Sequence, residues 1–79
     1  NKYEIIKGLT RAVNIIKESS YTKIEFEKDA LEDIAMVSDG DMRSALNLLE
    51  LVTYSTKPNK DNIVYINSEA VKNSAFNRR

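Results

Sequence analysis

The sequence predicts an all-α domain, a small four-helix bundle. Two very short extended segments are a further possibility in this fold. Three observations lead to this fold class. Apolar residues recur at steps of three and four over most of the chain, which is the period of a helix with one buried face. Clusters of turn-forming residues separate these stretches. The length of 79 residues leaves room for a single small core.

Composition excludes several kinds of site. The chain has no cysteine and no histidine, so it lacks a disulfide framework, the usual zinc ligands and the commonest general base. Twelve basic residues balance twelve acidic ones, and this zero formal charge disfavours DNA binding by the domain alone. Because there is no long apolar run, no transmembrane segment or signal peptide is expected. We expect a soluble intracellular domain over residues 1–79 and, since it starts at Asn1 instead of methionine, a fragment of a larger protein.

The first helix is predicted from Lys2 to Glu18. Its buried face carries Ile5, Leu9, Ala12, Val13 and Ile16. Gly8 lies inside this pattern, at a cost of about 1 kcal/mol relative to alanine. From Tyr21 to Phe26 apolar residues alternate with charged ones, which indicates a short extended segment.

The second helix is predicted to begin within a group of acidic residues, where the helix dipole favours negative charge. These acids are Glu27, Asp29 and Glu32. The helix should end near Ser38, because Asp39-Gly40-Asp41 is strong turn chemistry.

The third helix is predicted to restart at once, with Asp41 as its N-cap. Its apolar stripe comprises Met42, Ala45, Leu46, Leu49 and Val52, extended by Leu48 and Leu51. A helix this apolar belongs at the centre of a small bundle. After a surface loop over residues 56–62, Ile63 to Ile66 forms a second extended segment that could pair with the first, and Asn67 caps the last helix.

Arg43 is the strongest candidate for a ligand contact. It lies in the first turn of the third helix, where a cation does not stabilise the helix dipole. A helix start with a guanidinium two residues in does suit an anion such as phosphate. The alternative is that Arg43 pairs with Asp39 or Asp41 on the surface. From the residues alone, this alternative is favoured. Asn47, one turn further on, could hydrogen-bond across to a neighbouring element or help to hold a ligand. Its spacing alone favours a polar residue on a solvated face.

The other patterns favour structural interpretations. Lys7 and Arg11 could touch a nucleic-acid backbone, but they suit an ordinary solvated face better. Tyr3, Tyr21, Tyr54 and Tyr65 are interpreted as partly buried packing residues. The sequence has no nucleophile–base pair, glycine-rich phosphate loop or metal cluster, so this chain by itself is not expected to be an enzyme.

One region of the chain resembles a known family. The region comprises Ala30-Leu31-Glu32-Asp33-Ile34-Ala35 and Ser38-Asp39-Gly40-Asp41-Met42-Arg43-Ser44-Ala45-Leu46-Asn47-Leu48-Leu49-Glu50. It resembles the helical lid domain of AAA+ ATPases of the clamp-loader clade. Within that clade it is most similar to the replication-associated recombination protein A family and its eukaryotic Werner-helicase-interacting relative. Small clamp-loader subunits share Gly-Asp-x-Arg-x-Ala-Leu-Asn, but the closing Leu-Glu fits the recombination factor better.

The resemblance implies roles for three residues. Arg43 would be the sensor-2 residue, which reaches the phosphates of ATP held by the preceding ATPase domain. Asp41 would cap and orient the helix that carries it, and Asn47 would be a supporting residue. ATP or ADP with Mg²⁺ is the implied cofactor of the whole protein, and none is expected in the isolated fragment. The phosphate-binding loop, Walker B acids, sensor-1 residue and arginine finger are missing from this fragment, so it should not hydrolyse ATP alone.

The resemblance also implies partners. These are the preceding AAA+ core, a C-terminal oligomerisation region of the same chain, and DNA bound through the full-length protein. That protein would be a cytoplasmic, nucleoid-associated homotetramer without a membrane partner. It would act in replication-fork maintenance, recombination and repair, with the lid coupling ATP state to domain motion.

Three alternatives stay open. The chain could be the lid of a DNA polymerase clamp-loader subunit, a stand-alone helix-turn-helix DNA-binding module, or a protein-interaction bundle with no nucleotide role.

Overall fold

The computed structural model describes residues 1–76 and confirms a mostly helical domain with two short strands. Four helices and two strands follow one another in the order α1, β1, α2, α3, β2, α4. Their bounds are Lys2–Ser19 (α1), Lys23–Phe26 (β1), Lys28–Val37 (α2), Met42–Ser55 (α3), Ile63–Ile66 (β2) and Ser68–Phe76 (α4). Each element falls where the sequence predicts it, within a residue or two at its ends.

Helix α1 begins at a side-chain cap and turns its apolar face inward. The Asn1 side chain accepts a hydrogen bond from the Glu4 amide at 3.0 Å, which satisfies one of the free N–H groups at the helix start. Ile5, Leu9 and Val13 are buried. Gly8 lies on the side of α1 that faces α3, where a Cβ atom would stand only 3.0 Å from Sδ of Met42 and closer still to its Cε. The glycine therefore has a packing reason for its position inside a helix.

The two extended segments form a parallel two-stranded sheet. Strand β1 pairs with β2 from Lys23 opposite Ile63 to Phe26 opposite Ile66. The ladder continues one residue further, because the Glu27 amide donates to the Ile66 carbonyl at 2.9 Å. Parallel strands need a long crossover connection. Here α2 and α3 supply it, and of these two helices α3 also packs against β2.

Helix α3 lies at the centre, in contact with α1, α2, α4 and β2. Its buried residues are Ala45, Leu48, Leu49 and Val52. The predicted stripe was wrong about Leu46, which is 38% exposed, and the face beyond it carries Asn47 and Glu50 toward solvent. One face of the central helix is therefore open.

The tyrosines correct a second prediction. Tyr3, Tyr21 and Tyr54 are largely exposed instead of partly buried, whereas Tyr65, at 43% exposed, is partly covered as predicted. Tyr65 donates its hydroxyl to the Glu27 carboxylate, which raises the pKa of Tyr65, and the Lys7 ammonium lies 5.5 Å from the centre of the Tyr3 ring. A phenol ring can lie against the surface with its hydroxyl in water, so the apolar pattern alone does not place it inside.

Two leucines of α3 test this division of the helix into an inner and an outer face. Leu49 is 1% exposed, and we expect Leu49→Ala to lower the free energy of unfolding by about 2–5 kcal/mol through lost burial and a residual cavity. The same substitution at Leu46 should cost about 1 kcal/mol or less, because that side chain is already partly hydrated. Urea denaturation of both variants measures the difference, and equal losses would contradict the assignment of faces.

Candidate functional site

The candidate site begins at a tight left-handed turn between α2 and α3. The Asp41 amide donates to the Ser38 carbonyl at 3.0 Å, and the two residues between them have positive φ, 52° at Asp39 and 81° at Gly40. A turn with two such central residues favours aspartate or asparagine followed by glycine. A Cβ atom at Gly40 would meet nothing within 4 Å, so the glycine is needed for its backbone conformation and not for space.

Asp41 then starts α3 as its N-cap, as the sequence predicts. One carboxylate oxygen accepts from the Arg43 amide at 3.2 Å, and the other accepts from the Ser44 hydroxyl at 2.7 Å. The Ser44 hydrogen bond is the chief reason why the pKa of Asp41 lies below its ordinary value. The backbone amides and the Arg43 charge add to this shift, whereas burial opposes it. The carboxylate is thus held in its charged form at the helix start.

Arg43 projects from the first turn of α3 into solvent. Within residues 1–76, its guanidinium forms no ion pair with any carboxylate. The predicted surface pairing with Asp39 or Asp41 is therefore not formed, although the arginine charge still lowers the pKa of Asp41. The Asp41 carboxylate already accepts from a helix N-terminal amide. The Arg43 amide is therefore already engaged, whereas its guanidinium has no ion pair within residues 1–76 and can receive an anion.

Asn47 follows Arg43 by one turn on the same outer face of α3. Its side chain is exposed and makes no hydrogen bond within the part of the chain that the structure describes. It therefore does not reach a neighbouring element, which was one of its predicted roles. Asn47 does border an open cavity of about 320 Å³ between α2, α3 and α4. That cavity is lined by Val37, Ser38, Ser44, Asn47, Leu48, Leu51 and Ala75.

The surface around Asn47 is apolar. On its other side lies a groove of about 280 Å³ between α1 and α3, which includes Ile15, Ile16 and Leu46. Ile15 is 63% exposed and Tyr54, further along α3, is 92% exposed. The outer face of α3 thus combines an exposed guanidinium, one amide and several exposed apolar side chains.

Two features of the site escaped the sequence reasoning. Ser44 is the principal partner of the Asp41 carboxylate, and the spacing Asp41-x-x-Ser44 resembles a capping box, so a signal was present in the sequence. The exposure of Leu46 had no such signal, because its spacing is that of a core residue.

Lys7 and Arg11 line a separate groove on α1 together with Ile6, Thr10 and Asn14.

Residues 1–76 contain no group of three or more acidic side chains that could together hold a metal ion. None of the helices in this range is long and apolar enough to span a bilayer.

Comparison with protein families identifies the chain over most of its length. The family model described as the AAA C-terminal domain matches residues 19–79, which include β1, α2, the left-handed turn and all of α3. Comparisons with the curated proteins and with the solved structures find no match.

The left-handed turn is tested at Gly40. We expect Gly40→Ala to destabilise the domain by about 1 kcal/mol, because an L side chain is disfavoured at positive φ. Gly40→Asn should cost less, since asparagine tolerates this region. Thermal unfolding followed by circular dichroism compares the two variants, and an alanine variant as stable as the asparagine variant would contradict the conformational explanation.

The N-cap is tested by acid. The pKa of Asp41 in the folded domain lies below its ordinary value, so its stabilising contribution is fully present above the ordinary pKa and is lost as the pH falls through the lowered one. We expect Asp41→Asn to lose this part of the pH dependence of stability. Asp39→Asn is the matched control, because asparagine also tolerates the positive φ there and the Asp39 carboxylate makes no hydrogen bond among residues 1–76. Unfolding midpoints from neutral to strongly acidic pH give the comparison, and identical profiles for both variants would rule out the cap.

Proposed function

Since this chain belongs to the AAA C-terminal domain family and is the helical lid domain of a AAA+ ATPase, we propose that Arg43 is its sensor-2 residue and contacts the phosphates of ATP. The observation that carries the proposal is the guanidinium of Arg43, which has no ion pair within residues 1–76 and is held at the start of α3 by a capped turn. Phosphoryl transfer places negative charge on the phosphate oxygens, and a fixed cation stabilises it. An arginine also binds phosphate with two parallel hydrogen bonds.

Asp41 and Asn47 support Arg43 in different ways. The Asp41 carboxylate fixes the first turn of α3, so the backbone position of Arg43 is set before a nucleotide arrives. Asn47 offers an unengaged amide one turn away, which can donate to a phosphate or accept from a facing residue.

The residues present fit a phosphate group and not the metal ion that accompanies it. Arg43 supplies a cation for ATP or ADP, whereas no carboxylate cluster within residues 1–76 would hold Mg²⁺. The magnesium ion and the hydrolytic residues therefore belong to the preceding ATPase core. This lid contributes charge and position to the reaction.

The same face of α3 supplies the surface for that core. An arginine that reaches nucleotide phosphates must face the domain that binds the nucleotide. The exposed side chains beside it, Leu46 and Ile15 on one side and Tyr54 further along α3, would then be covered by the core. Nucleotide state would thereby change how the lid sits on the core and move whatever follows the lid, including a C-terminal oligomerisation region.

For the whole protein, we propose a DNA-dependent ATPase of the replication-associated recombination type that acts at replication forks as a homotetramer. Support comes from the segment Ser38 to Glu50, whose closing Leu-Glu resembles that family. A clamp-loader subunit is the second candidate, because residues 40–47 also fit the motif Gly-Asp-x-Arg-x-Ala-Leu-Asn that small clamp-loader subunits share. The sequence that follows the lid distinguishes the two, since a clamp-loader subunit continues into a collar domain.

The role of Arg43 is tested in the ATPase polypeptide that carries this lid. We expect Arg43→Ala to lower kcat for ATP by at least roughly ten-fold, with and without single-stranded DNA, because a cation on the developing charge is lost. Steady-state ATPase assays over a range of ATP concentrations measure the change.

Arg11→Ala is the matched control, since Arg11 is likewise an exposed arginine but lies on α1. Its rate should equal that of the wild type. Circular dichroism of both variants shows that the lid stays folded. A folded Arg43→Ala variant with an unchanged kcat would return Arg43 to a surface role and disprove the sensor proposal.

A further inference from the structure

We propose that Met42, seated in a notch that Gly8 leaves on α1, is a positioning residue that sets the direction of Arg43. The inference rests on the proposed contact between Arg43 and nucleotide. It assigns a part in that contact to α1, most of which lies outside the match to the AAA C-terminal domain family.

The notch is a specific feature of α1. Glycine inside a helix is destabilising by about 1 kcal/mol relative to alanine, so its presence at position 8 calls for a reason. The reason is close approach: a Cβ atom there would lie 3.0 Å from Sδ of Met42 and nearer to its Cε. The thioether of Met42 therefore occupies the space that any other residue at position 8 would fill.

Met42 couples this notch to the site. It is the first residue of α3 and packs half-buried against the core, while Asp41 and Arg43 stand on either side of it in the chain. Successive residues of a helix point about 100° apart, so a first turn fixed at Met42 is also fixed in direction at Arg43. The Asp41 cap holds the same turn through its backbone amides. The two contacts together prevent the turn from rotating about the helix axis.

Arg43 has no other support. Its guanidinium forms no ion pair within residues 1–76, and its side chain is exposed. The direction of the Arg43 side chain is therefore set by the first turn of α3, which carries it. The end of a methionine side chain is flexible, so an alanine at position 8 would push the Met42 thioether out of the notch at little cost in stability. The first turn of α3 then loses its packing contact with α1, and the direction of Arg43 is no longer set although the domain stays folded.

The test uses the ATPase polypeptide that carries this lid, with Gly8→Ala to fill the notch and Met42→Ala to empty it. Both variants should lower kcat by roughly ten-fold, because a small misplacement of a positioned group is sufficient to do so. Met42→Leu keeps an apolar side chain of similar volume and should restore most of the rate. Thr10→Ala is the control for α1, since Thr10 is exposed and lies in the groove with Lys7 and Arg11, and its kcat should be that of the wild type.

The double variants separate positioning from a general loss of packing. If Gly8 and Met42 act through Arg43, adding Gly8→Ala or Met42→Ala to Arg43→Ala should lower kcat no further. A further loss of the same size in that background would overturn the proposal, and so would full activity of folded Gly8→Ala and Met42→Ala variants. If Arg43→Ala itself leaves kcat unchanged, the proposed contact between Arg43 and nucleotide is wrong, and with it the positioning role that rests on it.

A measurement without nucleotide distinguishes these outcomes. In the 79-residue chain, Gly8→Ala should shift the NMR resonances of the Arg43 amide and Nε–H groups, whereas Thr10→Ala should not. Unchanged Arg43 resonances in Gly8→Ala would refute the positioning role whatever the ATPase assay gives. Shifted resonances together with an active Arg43→Ala enzyme would place the failure in the proposed function instead.

Discussion

The start of α3 is the constraint on which most of this structure depends. The turn from Ser38 to Asp41 reverses the chain through two residues of positive φ, and the Asp41 carboxylate then satisfies the first free amides of the helix. Helix α3 contacts α1, α2, α4 and β2, so an error in its direction would be transmitted to every layer of the core. A domain this small has few other contacts to correct it.

The parallel strand pair gives the fold its second constraint. Strands β1 and β2 can only pair in parallel if the chain crosses over between them, and α2 and α3 are that crossover. Ile24 and Ile66 bury one side of the sheet against the helices. The short strands thus hold the two ends of the crossover together, and the turn between its two helices lies at the surface, where Arg43 is accessible.

The inner and outer faces of α3 serve different purposes. Its inner face holds the domain together through apolar contacts, whereas its outer face keeps an exposed guanidinium, an amide and exposed apolar side chains. Such a surface contributes nothing to the stability of the isolated lid. It is what a lid needs if it is to bind a nucleotide through one residue and rest on an ATPase core through the others.

The sequence by itself determined the elements and the cap. Spacings of three and four located the helices, Asp39-Gly40 located the turn, and the motif around Arg43 indicated the helical lid domain of a AAA+ ATPase, because each of these signals is local. The tertiary structure decided what depends on distant neighbours: the parallel direction of the strands, the exposure of Leu46 and of three tyrosines, the absence of an ion pair at Arg43 within residues 1–76, and the packing of Met42 against Gly8. A local pattern shows that a residue is apolar or that a glycine lies inside a helix. Only the packed neighbour, as Met42 is to Gly8, shows whether the apolar residue is covered and which side chain uses the space that the glycine leaves.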